Sequence, residues 1–430
     1  MNLSIAIMAA GFGTRMKSTT PKVLHTISGY PMLYHIIKEA KKLSTDIHVI
    51  LFHQHEQVKA VLDTYFEDLT YIIQDHANFP GTGGALMGVQ PKYDHVLVLN
   101  GDMPLLEAED MKKLLESEAD ISMSVFTATN PTGYGRVLLD GLHVKGIVEE
   151  KDASAEQKNV TSVNAGVYRF NKKFLETNLS KLSNNNAQKE YYLTDLITLA
   201  NNTKTSVEAV FVDETTFMGV NSKVHLAQAE VLMQRRMKER LMAQGVIMRL
   251  PETIYIDAEA TLEGECILEN NVTILGKCHL QNAHIKTGSV IEESTIIDSD
   301  VGPLARIRPQ SHLSKTHIGN FVEIKKSTLN GVKAGHLSYL GDATIDEGTN
   351  VGCGTITCNY DGKKKYQTII GKNVFIGSDT QLIAPVTIED NVMIAAGTTV
   401  TKDVKSGTLA ISRTPLKQIE GFFHKFFGDK

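Results

Sequence analysis

From about residue 250 onward, aliphatic side chains recur on a six-residue beat, and few folds accommodate one. Ile256, Leu262, Leu268, Ile274 and Leu280 open it, and after a one-residue slip Ile285, Ile291 and Ile297 continue it. Val301, Ile307 and Leu313 follow, then Ile318 and Ile324, then Ile345 and Val351. The run closes with Ile370, Ile376, Leu382, Ile388, Ile394 and Val400. An α-helix repeats every ~3.6 residues and a strand every ~2, so neither alone produces six consecutive hits at this spacing. A parallel β-helix does: each hexad forms one side of a three-sided coil and points one aliphatic side chain inward. Gly, Asn and Asp cluster between the beats, as in Gly319-Asn320, Gly371-Lys-Asn373 and Glu389-Asp-Asn391, where corners need such residues. Residues 250–405 predict about eight or nine coils. The beat breaks at Cys358-Asn-Tyr-Asp-Gly-Lys-Lys-Lys-Tyr366, a polar insertion that reads as a loop ejected from one corner. Repeat proteins place function on such loops.

The first half has a different texture. Apolar runs at 4–9, 47–52, 70–74, 95–99, 121–127, 163–169 and 207–212 alternate with amphipathic stretches such as 32–42 and 107–117. That alternation predicts an α/β domain with a mostly parallel sheet covered on both faces. Ligands in such sheets bind outside the carboxyl ends of the strands, which draws attention to the loops after Ala9 and Leu99. Between the halves, Leu226, Ala229, Met233, Met237 and Leu241 recur at three- and four-residue steps with no Gly or Pro until Gly245, so one long helix connects them. The predicted division is 1–222, a linker helix 223–249, and 250–430, as a chain of 430 residues requires more than one core.

Charge narrows the function classes. Lys+Arg 44 against Asp+Glu 49 gives −5, which excludes a general nucleic-acid binder but not local phosphate pockets. Cys266, Cys278, Cys353 and Cys358 form no C-x-x-C pair and read as reduced thiols. The opening apolar run is short and lacks a preceding basic segment, so it reads as a buried strand rather than a leader or membrane helix. A cytoplasmic location is expected, with no membrane insertion.

The first strand leads into Ala9-Ala-Gly-Phe-Gly-Thr-Arg-Met16. Two glycines let backbone pass close to a ligand, and successive N–H groups can cradle phosphate. Arg15, and Lys22 in Thr20-Pro-Lys-Val-Leu24, add cations suited to a polyphosphate. The third glycine of the dinucleotide fingerprint is missing, which argues against a nicotinamide enzyme. Asp102, in Leu99-Asn-Gly-Asp-Met-Pro104, stands just past a strand, where an acid can hold Mg²⁺; a plain turn aspartate is the alternative. In the repeat zone, His336 sits within Lys333-Ala-Gly-His-Leu-Ser-Tyr-Leu-Gly-Asp342. A near-neutral imidazole suits removal of a proton from an attacking amine, and a structural corner histidine is the alternative. Arg308, Lys325, Tyr339, Asn350 and Lys365 interrupt the same repeats, and three converging cations would suit a phosphate.

Residues 9–16, Pro21-Lys22, Gly81-Thr-Gly83, Gly101-Asp102, Pro131-Thr-Gly-Tyr-Gly-Arg136, Glu149-Glu-Lys-Asp152, Asn164-Ala-Gly166 and Gly219-Val-Asn221 stand in the order found in sugar-1-phosphate nucleotidyltransferases, which this half resembles. Beyond 250, Gly319-Asn-Phe-Val-Glu323, residues 333–342, Gly354-Thr-Ile-Thr-Cys-Asn-Tyr-Asp361, Ile376-Gly-Ser-Asp-Thr-Gln381, Ala395-Ala-Gly-Thr-Thr-Val400 and Ala410-Ile-Ser-Arg413 extend the match. Nearly the whole chain is similar to the family of bacterial bifunctional N-acetylglucosamine-1-phosphate uridyltransferase/glucosamine-1-phosphate acetyltransferases. Phe12 departs from it, standing where the family often has a basic or polar residue.

The resemblance implies a Rossmann-like nucleotidyltransferase domain, a long linker helix and a left-handed parallel β-helix assembled as a homotrimer with sites between subunits. It implies UTP on Met8, Ala9, Ala10, Gly11, Lys22, Gln74, Gly81 and Thr82, with Arg15 at the phosphates, and Arg15 and Lys22 as catalytic cations. The sugar falls to Asn100, Gly101, Asp102, Gly135, Glu149, Asn164 and Asn221, and Mg²⁺ to Asp102 and Asn221. It implies His336 as general base and glucosamine-1-phosphate on Arg308, Lys325, Tyr339, Asn350 and Lys365. Acetyl-CoA falls to Asn359, Tyr360, Ser378, Ala396 and Arg413. A single-function nucleotidyltransferase with a structural or regulatory β-helix is the rival reading, and a non-catalytic scaffold built on both folds a third. In the tail, Phe422, Phe423, Phe426 and Phe427 are expected to pack on a neighbour, a membrane-surface role being the alternative.

Overall fold

The computed structural model describes residues 2–428. The chain forms two compact units, Met1–Met233 and Gln234–Lys430.

Among the described residues, the main sheet of the first unit has nine strands: β1 (Leu3–Met8), β2 (Asp46–Leu51), β3 (Thr70–Ile73), β4 (His95–Asn100), β5 (Ile121–Thr127), β6 (Arg136–Asp140), β7 (His143–Val148), β8 (Ser162–Asn171) and β9 (Val207–Phe211). Their order across the sheet is β3-β2-β1-β4-β8-β5-β9-β7-β6. β1 runs parallel to both β2 and β4, with Ile5 opposite Ile47 on one side and Leu97 on the other. It is covered on both faces, which is why Leu3, Ile5, Ala6 and Ile7 are all fully buried and the strand reads as a continuous apolar run. From β1 the chain steps outward to β2 and β3, then returns to β4 on the other side. The crevice beyond the ends of β1 and β4 is therefore a topological switch point.

The sheet differs from the mostly parallel expectation. β8 is antiparallel to β4 and β5, and β6 and β7 form an antiparallel hairpin. The hairpin strands are only partly buried and Gly141 sits at their turn. Their apolar pattern is correspondingly weak, and sequence periodicity passed over them.

The helix Lys223–Ala243 is anchored in each unit by its own polar contacts. In the first, the Glu230 carboxylate accepts the Ser28 backbone N–H at 2.9 Å. In the second, the Gln234 side chain bonds both the carbonyl and the N–H of Ile256, and the Lys238 ammonium donates to the Pro251 and Ile254 carbonyls.

The second unit is a three-sided parallel β-helix with ten, nine and eight strands stacked on its faces among the described residues. One inward side chain per strand forms the core. On one face the file runs Leu268, Ile285, Val301, Ile318, Ala334, Val351, Ile376, Ile394, Ala410. Two features correct the sequence reading. Ile296, not Ile297, points inward: it pairs with Leu280 and Leu313 and is 0% exposed. The step from Ile291 is five residues there, so a strict hexad count overshoots by one. Between Ile324 and Ile345 the core continues through Leu329, Ala334 and Leu340, hidden from the beat by further five-residue steps and by alanine's small size. Thr357 also points inward, where its hydroxyl is bonded to both the N–H and the carbonyl of Gly341. The insertion predicted at 358–366 is a hairpin-like loop closed by a Tyr360–Lys365 bridge and by the Asp361 carboxylate, which accepts the N–H groups of Lys363 and Lys364.

All four cysteines are free thiols, Cys266 and Cys278 buried in the coil. In the tail helix Phe422–Phe427 the four phenylalanines are each more than half exposed and pack against one another. Among the described residues no helix is long and apolar enough to cross a membrane.

The inward assignment makes adjacent isoleucines unequal. Ile296→Ala should destabilise the coil by about 2–5 kcal/mol and Ile297→Ala by less than about 1 kcal/mol. The urea midpoint of the second unit's unfolding transition checks this.

Candidate active sites

At the switch point of the first unit lies a cavity of about 370 Å³. Met8, Ala9, Ala10, Gly11, Lys22, Gln74, Gly81, Thr82, Asn100 and Asp102, all singled out in the sequence, line it. Parallel pairing explains the convergence: Met8 is opposite both Ile50 and Asn100, so the loops after β1 and β4 start level with each other. Ala9 N–H donates to the Ile50 carbonyl and Gly101 N–H to the Met8 carbonyl, both at 2.8 Å. Gln74 is buried, and its amide donates to the Phe79 and Gly81 carbonyls, bracing the Gly81-Thr82 turn.

Gly13, at φ +63°, turns the glycine loop into a short 3-10 turn that carries Arg15. A Cβ there would lie 2.6 Å from Lys22 Cβ, so the loop packs directly on the lysine stem. Lys22 Nζ donates to Asp102 Oδ2 at 2.5 Å and to Asn221 Oδ1 at 2.7 Å. Arg15 Nη2 donates to the same Asn221 oxygen at 2.8 Å. A carboxylate oxygen and an amide oxygen thus converge on a cation, and hard oxygens of this type suit Mg²⁺.

Gly135, Glu149 and Asn164 form a second cluster outside the lining of that cavity. Asn164 N–H donates to the Gly135 carbonyl at 2.9 Å, and a Cβ on Gly135 would meet the Glu149 carboxylate at 3.4 Å. Asn100 links cluster and cavity, donating to the Gly166 carbonyl, while Gly166 N–H donates to Asn164 Oδ1. Burial pushes the Glu149 carboxyl above its usual range; the Thr194 hydroxyl partly offsets this, and Asp152 and Asp195 reinforce it.

Sequence reasoning missed Val23, His76, Ala85 and Glu190 in the cavity wall, and saw Phe12 only as a departure. Phe12 joins an aromatic cluster, with ring centroids 5.6 Å from Phe52 and 5.3 Å from His76. Phe52 and His76 stack at 4.6 Å. These residues come from loops after three different strands, so no local motif could have announced the cluster.

In the coil, stacking files side chains in columns. Counting two residues past the inward file places His336, Cys353, Ser378 and Ala396 one above another at one corner. Gly352 and Gly377, which precede Cys353 and Ser378, keep that corner tight: a Cβ on either would lie 2.6 Å or less from backbone of the next rung. Arg413 lies on the same corner, donating to the Ala396 carbonyl. His336 is exposed there.

Arg308 and Lys325 occupy equivalent positions on adjacent rungs of the next face, where Tyr339 also lies. Lys365 reaches Lys325 from the ejected loop. It depresses the Lys325 ammonium below the usual lysine range, and Arg308 adds to the effect. Glu323 accepts from Arg308 at 2.8 Å and holds its guanidinium further charged. Asn359 is buried and donates to Asp342, whereas Tyr360 is exposed on the loop. Asn350 lies on the face that carries His336, not on that of Arg308, Lys325 and Tyr339. The structure therefore divides this predicted set between two faces of the coil.

Residues 5–163 match the MobA-like NTP transferase domain, and residues 367–402 match the bacterial transferase hexapeptide (six repeats). Together these define a nucleotidyltransferase joined to a hexapeptide-repeat transferase, the repeats forming a left-handed parallel β-helix. The chain is 61% identical over 428 residues to the bifunctional protein GlmU of a Nitratiruptor species, covering 100% of each. It is 60% identical over 427 residues to bifunctional protein GlmU of Aliarcobacter butzleri, and 59% over 427 to that of Wolinella succinogenes, covering 99% of each chain in both cases. The chain belongs to the bifunctional GlmU family.

Two substitutions test the geometry. Gly13→Ala meets both a left-handed backbone and the Lys22 stem, and should destabilise the first unit by at least about 1–2 kcal/mol. Gly11→Ala, with nothing within 4 Å of its added Cβ, should cost little. Urea unfolding of the first unit separates them. Glu149 makes a pH prediction. Because its carboxyl is raised, the stability provided by its neutral form is lost as pH rises from the ordinary glutamate range through the raised value. Glu149→Gln should therefore melt above wild type near neutral pH, and the two should converge in acid.

Proposed function

We propose that the two sites act in succession on one aminosugar phosphate. The second unit transfers the acetyl group of acetyl-CoA to the amine of glucosamine-1-phosphate. The first unit transfers a uridylyl group from UTP to the resulting N-acetylglucosamine-1-phosphate, giving UDP-N-acetylglucosamine and pyrophosphate. The observation that carries this reading is 61% identity over the full length of a relative named as a bifunctional protein.

In the first site, Met8–Gly11, Lys22, Gln74, Gly81 and Thr82 bind UTP, and Arg15 meets its phosphates. Asn100, Gly101, Asp102, Gly135, Glu149, Asn164 and Asn221 serve the sugar side. A phosphate oxygen of the sugar attacks the α-phosphorus and pyrophosphate leaves, so positioning and charge neutralisation carry the rate. Asp102 and Asn221, whose oxygens converge on the Lys22 ammonium, would hold Mg²⁺, which would supply positive charge against the triphosphate and the departing pyrophosphate.

In the second site, Arg308, Lys325 and Lys365 bind the sugar phosphate, with Tyr339 and Asn350 on the sugar. Their mutual repulsion is relieved when an anion enters, which is what the depressed Lys325 ammonium supports. His336 takes the proton from the amine as its nitrogen attacks the thioester carbonyl, and the CoA thiol departs. Asn359, Tyr360, Ser378, Ala396 and Arg413 bind acetyl-CoA. A homotrimer with sites between copies supplies what one coil lacks, bringing the face of Asn350 and His336 against a neighbour's phosphate-binding face. Both reactions belong in the cytoplasm, where UTP and acetyl-CoA are available.

Assays of thiol release and of pyrophosphate release on the whole chain test this. His336→Ala should lower acetyl transfer by about 10²–10⁴-fold and leave uridylyl transfer intact. Asp102→Ala should do the reverse. A wild-type chain without thiol release would reduce the coil to a structural element.

A further inference from the structure

Lys22 stands where the divalent cation is expected. Its Nζ lies within hydrogen-bond distance of both oxygens assigned to the metal, 2.5 Å from Asp102 and 2.7 Å from Asn221. It also lines the nucleotide cavity. The same ammonium therefore has two destinations, the metal ligands and the triphosphate. We propose that Lys22 is a built-in stand-in for the metal: it neutralises Asp102 until metal and nucleotide bind, and then moves onto the phosphates. This rests on the reading of Asp102 and Asn221 as metal ligands.

Three observations carry it. First, Mg²⁺ takes its oxygens at ~2.1 Å, so an ammonium at hydrogen-bond distance from the same two atoms competes for the point on which they converge. Second, the Lys22 and Asp102 side chains are only 14% and 19% exposed. A carboxylate so enclosed is costly without a cation, and lysine supplies one from within the chain. Third, Gly13 lies against the Lys22 stem, so the stem is held while the ammonium beyond it can reach either destination. Arg15 rests on the same Asn221 oxygen and is released in the same exchange.

The consequence is coupling. Metal alone must displace an ammonium that has nowhere better to go, so it binds weakly. The triphosphate alone must draw Lys22 off Asp102. Each ligand removes the obstacle to the other, and by linkage the enhancement is reciprocal. Removing the ammonium should therefore strengthen metal binding in the absence of nucleotide, whereas loss of a residue that only helps hold the metal would weaken it.

The test measures Mn²⁺ binding to the full chain by electron paramagnetic resonance, with and without UTP. Lys22→Met and Lys22→Gln should bind Mn²⁺ without UTP about tenfold more tightly than wild type, and UTP should then improve Mn²⁺ affinity less than it does in wild type. Asp102→Ala should lose this site with or without UTP. If Asp102→Ala leaves Mn²⁺ binding in the UTP complex untouched, the metal reading itself falls. If Asp102→Ala removes the site but neither lysine variant gains affinity, the metal reading stands and the stand-in is overturned. A wild-type measurement guards against misfolded variants: with bound Mn²⁺ and no UTP, Lys22 should be labelled faster by acetic anhydride, as read by mass spectrometry. Unchanged labelling under bound Mn²⁺ would overturn the proposal.

Discussion

In-register parallel pairing is the constraint on which both sites depend. Parallel strands bring equivalent positions side by side without requiring them to be near in sequence. In the first unit, the pairing of Met8 with Asn100 sets the glycine loop beside Asp102. In the second, the stacked file through Ala334, Val351, Ile376 and Ile394 lines up His336, Ser378 and Ala396. A one-residue slip in either register would turn the inward residues outward and scatter the polar groups with them.

On this frame the chain sets cations in two opposite ways. In the first unit, Lys22 is paired with the Asp102 carboxylate, and both Lys22 and Arg15 donate to the neutral Asn221 amide oxygen. In the second, Arg308 is paired with Glu323, whereas Lys325 and Lys365 crowd one another and Asp342 only partly offsets that repulsion on Lys325. Cations that still repel one another favour an incoming anion, whereas a paired lysine must give up its carboxylate to reach one. The closed loop carries Lys365 of the second cluster, tight glycines hold the His336 corner beside it, and Gly13 holds the Lys22 stem in the first unit.

Much of this was legible because its signals are local or periodic. The hexad beat announced the coil, the broken beat announced the loop, and the glycine loop with Lys22 announced a wall of the cavity at the switch point. Gln74, Gly81 and Thr82 line the cavity, the Gln74 amide bonded to the Phe79 and Gly81 carbonyls. Reading failed where the signal was weak or shared among distant segments. The hairpin of β6 and β7 buries too little to show a pattern, and the five-residue step at Ile296 is invisible to a six-residue count. The cluster of Phe12, Phe52 and His76 draws on three loops.

By itself, the sequence determined which residue types could bind phosphate, where aliphatic side chains would stack, and where the chain changes from alternating strands and helices to a coil. Those properties follow from chemistry and spacing along the chain. The tertiary structure alone decided that Lys22 meets Asp102 and Asn221, that Ile296 turns inward while Ile297 does not, and that Asn350 and Arg308 lie on different faces. Each of these depends on how rungs or strands are aligned across tens to hundreds of residues, and alignment is set by packing many side chains at once rather than by any one stretch of sequence.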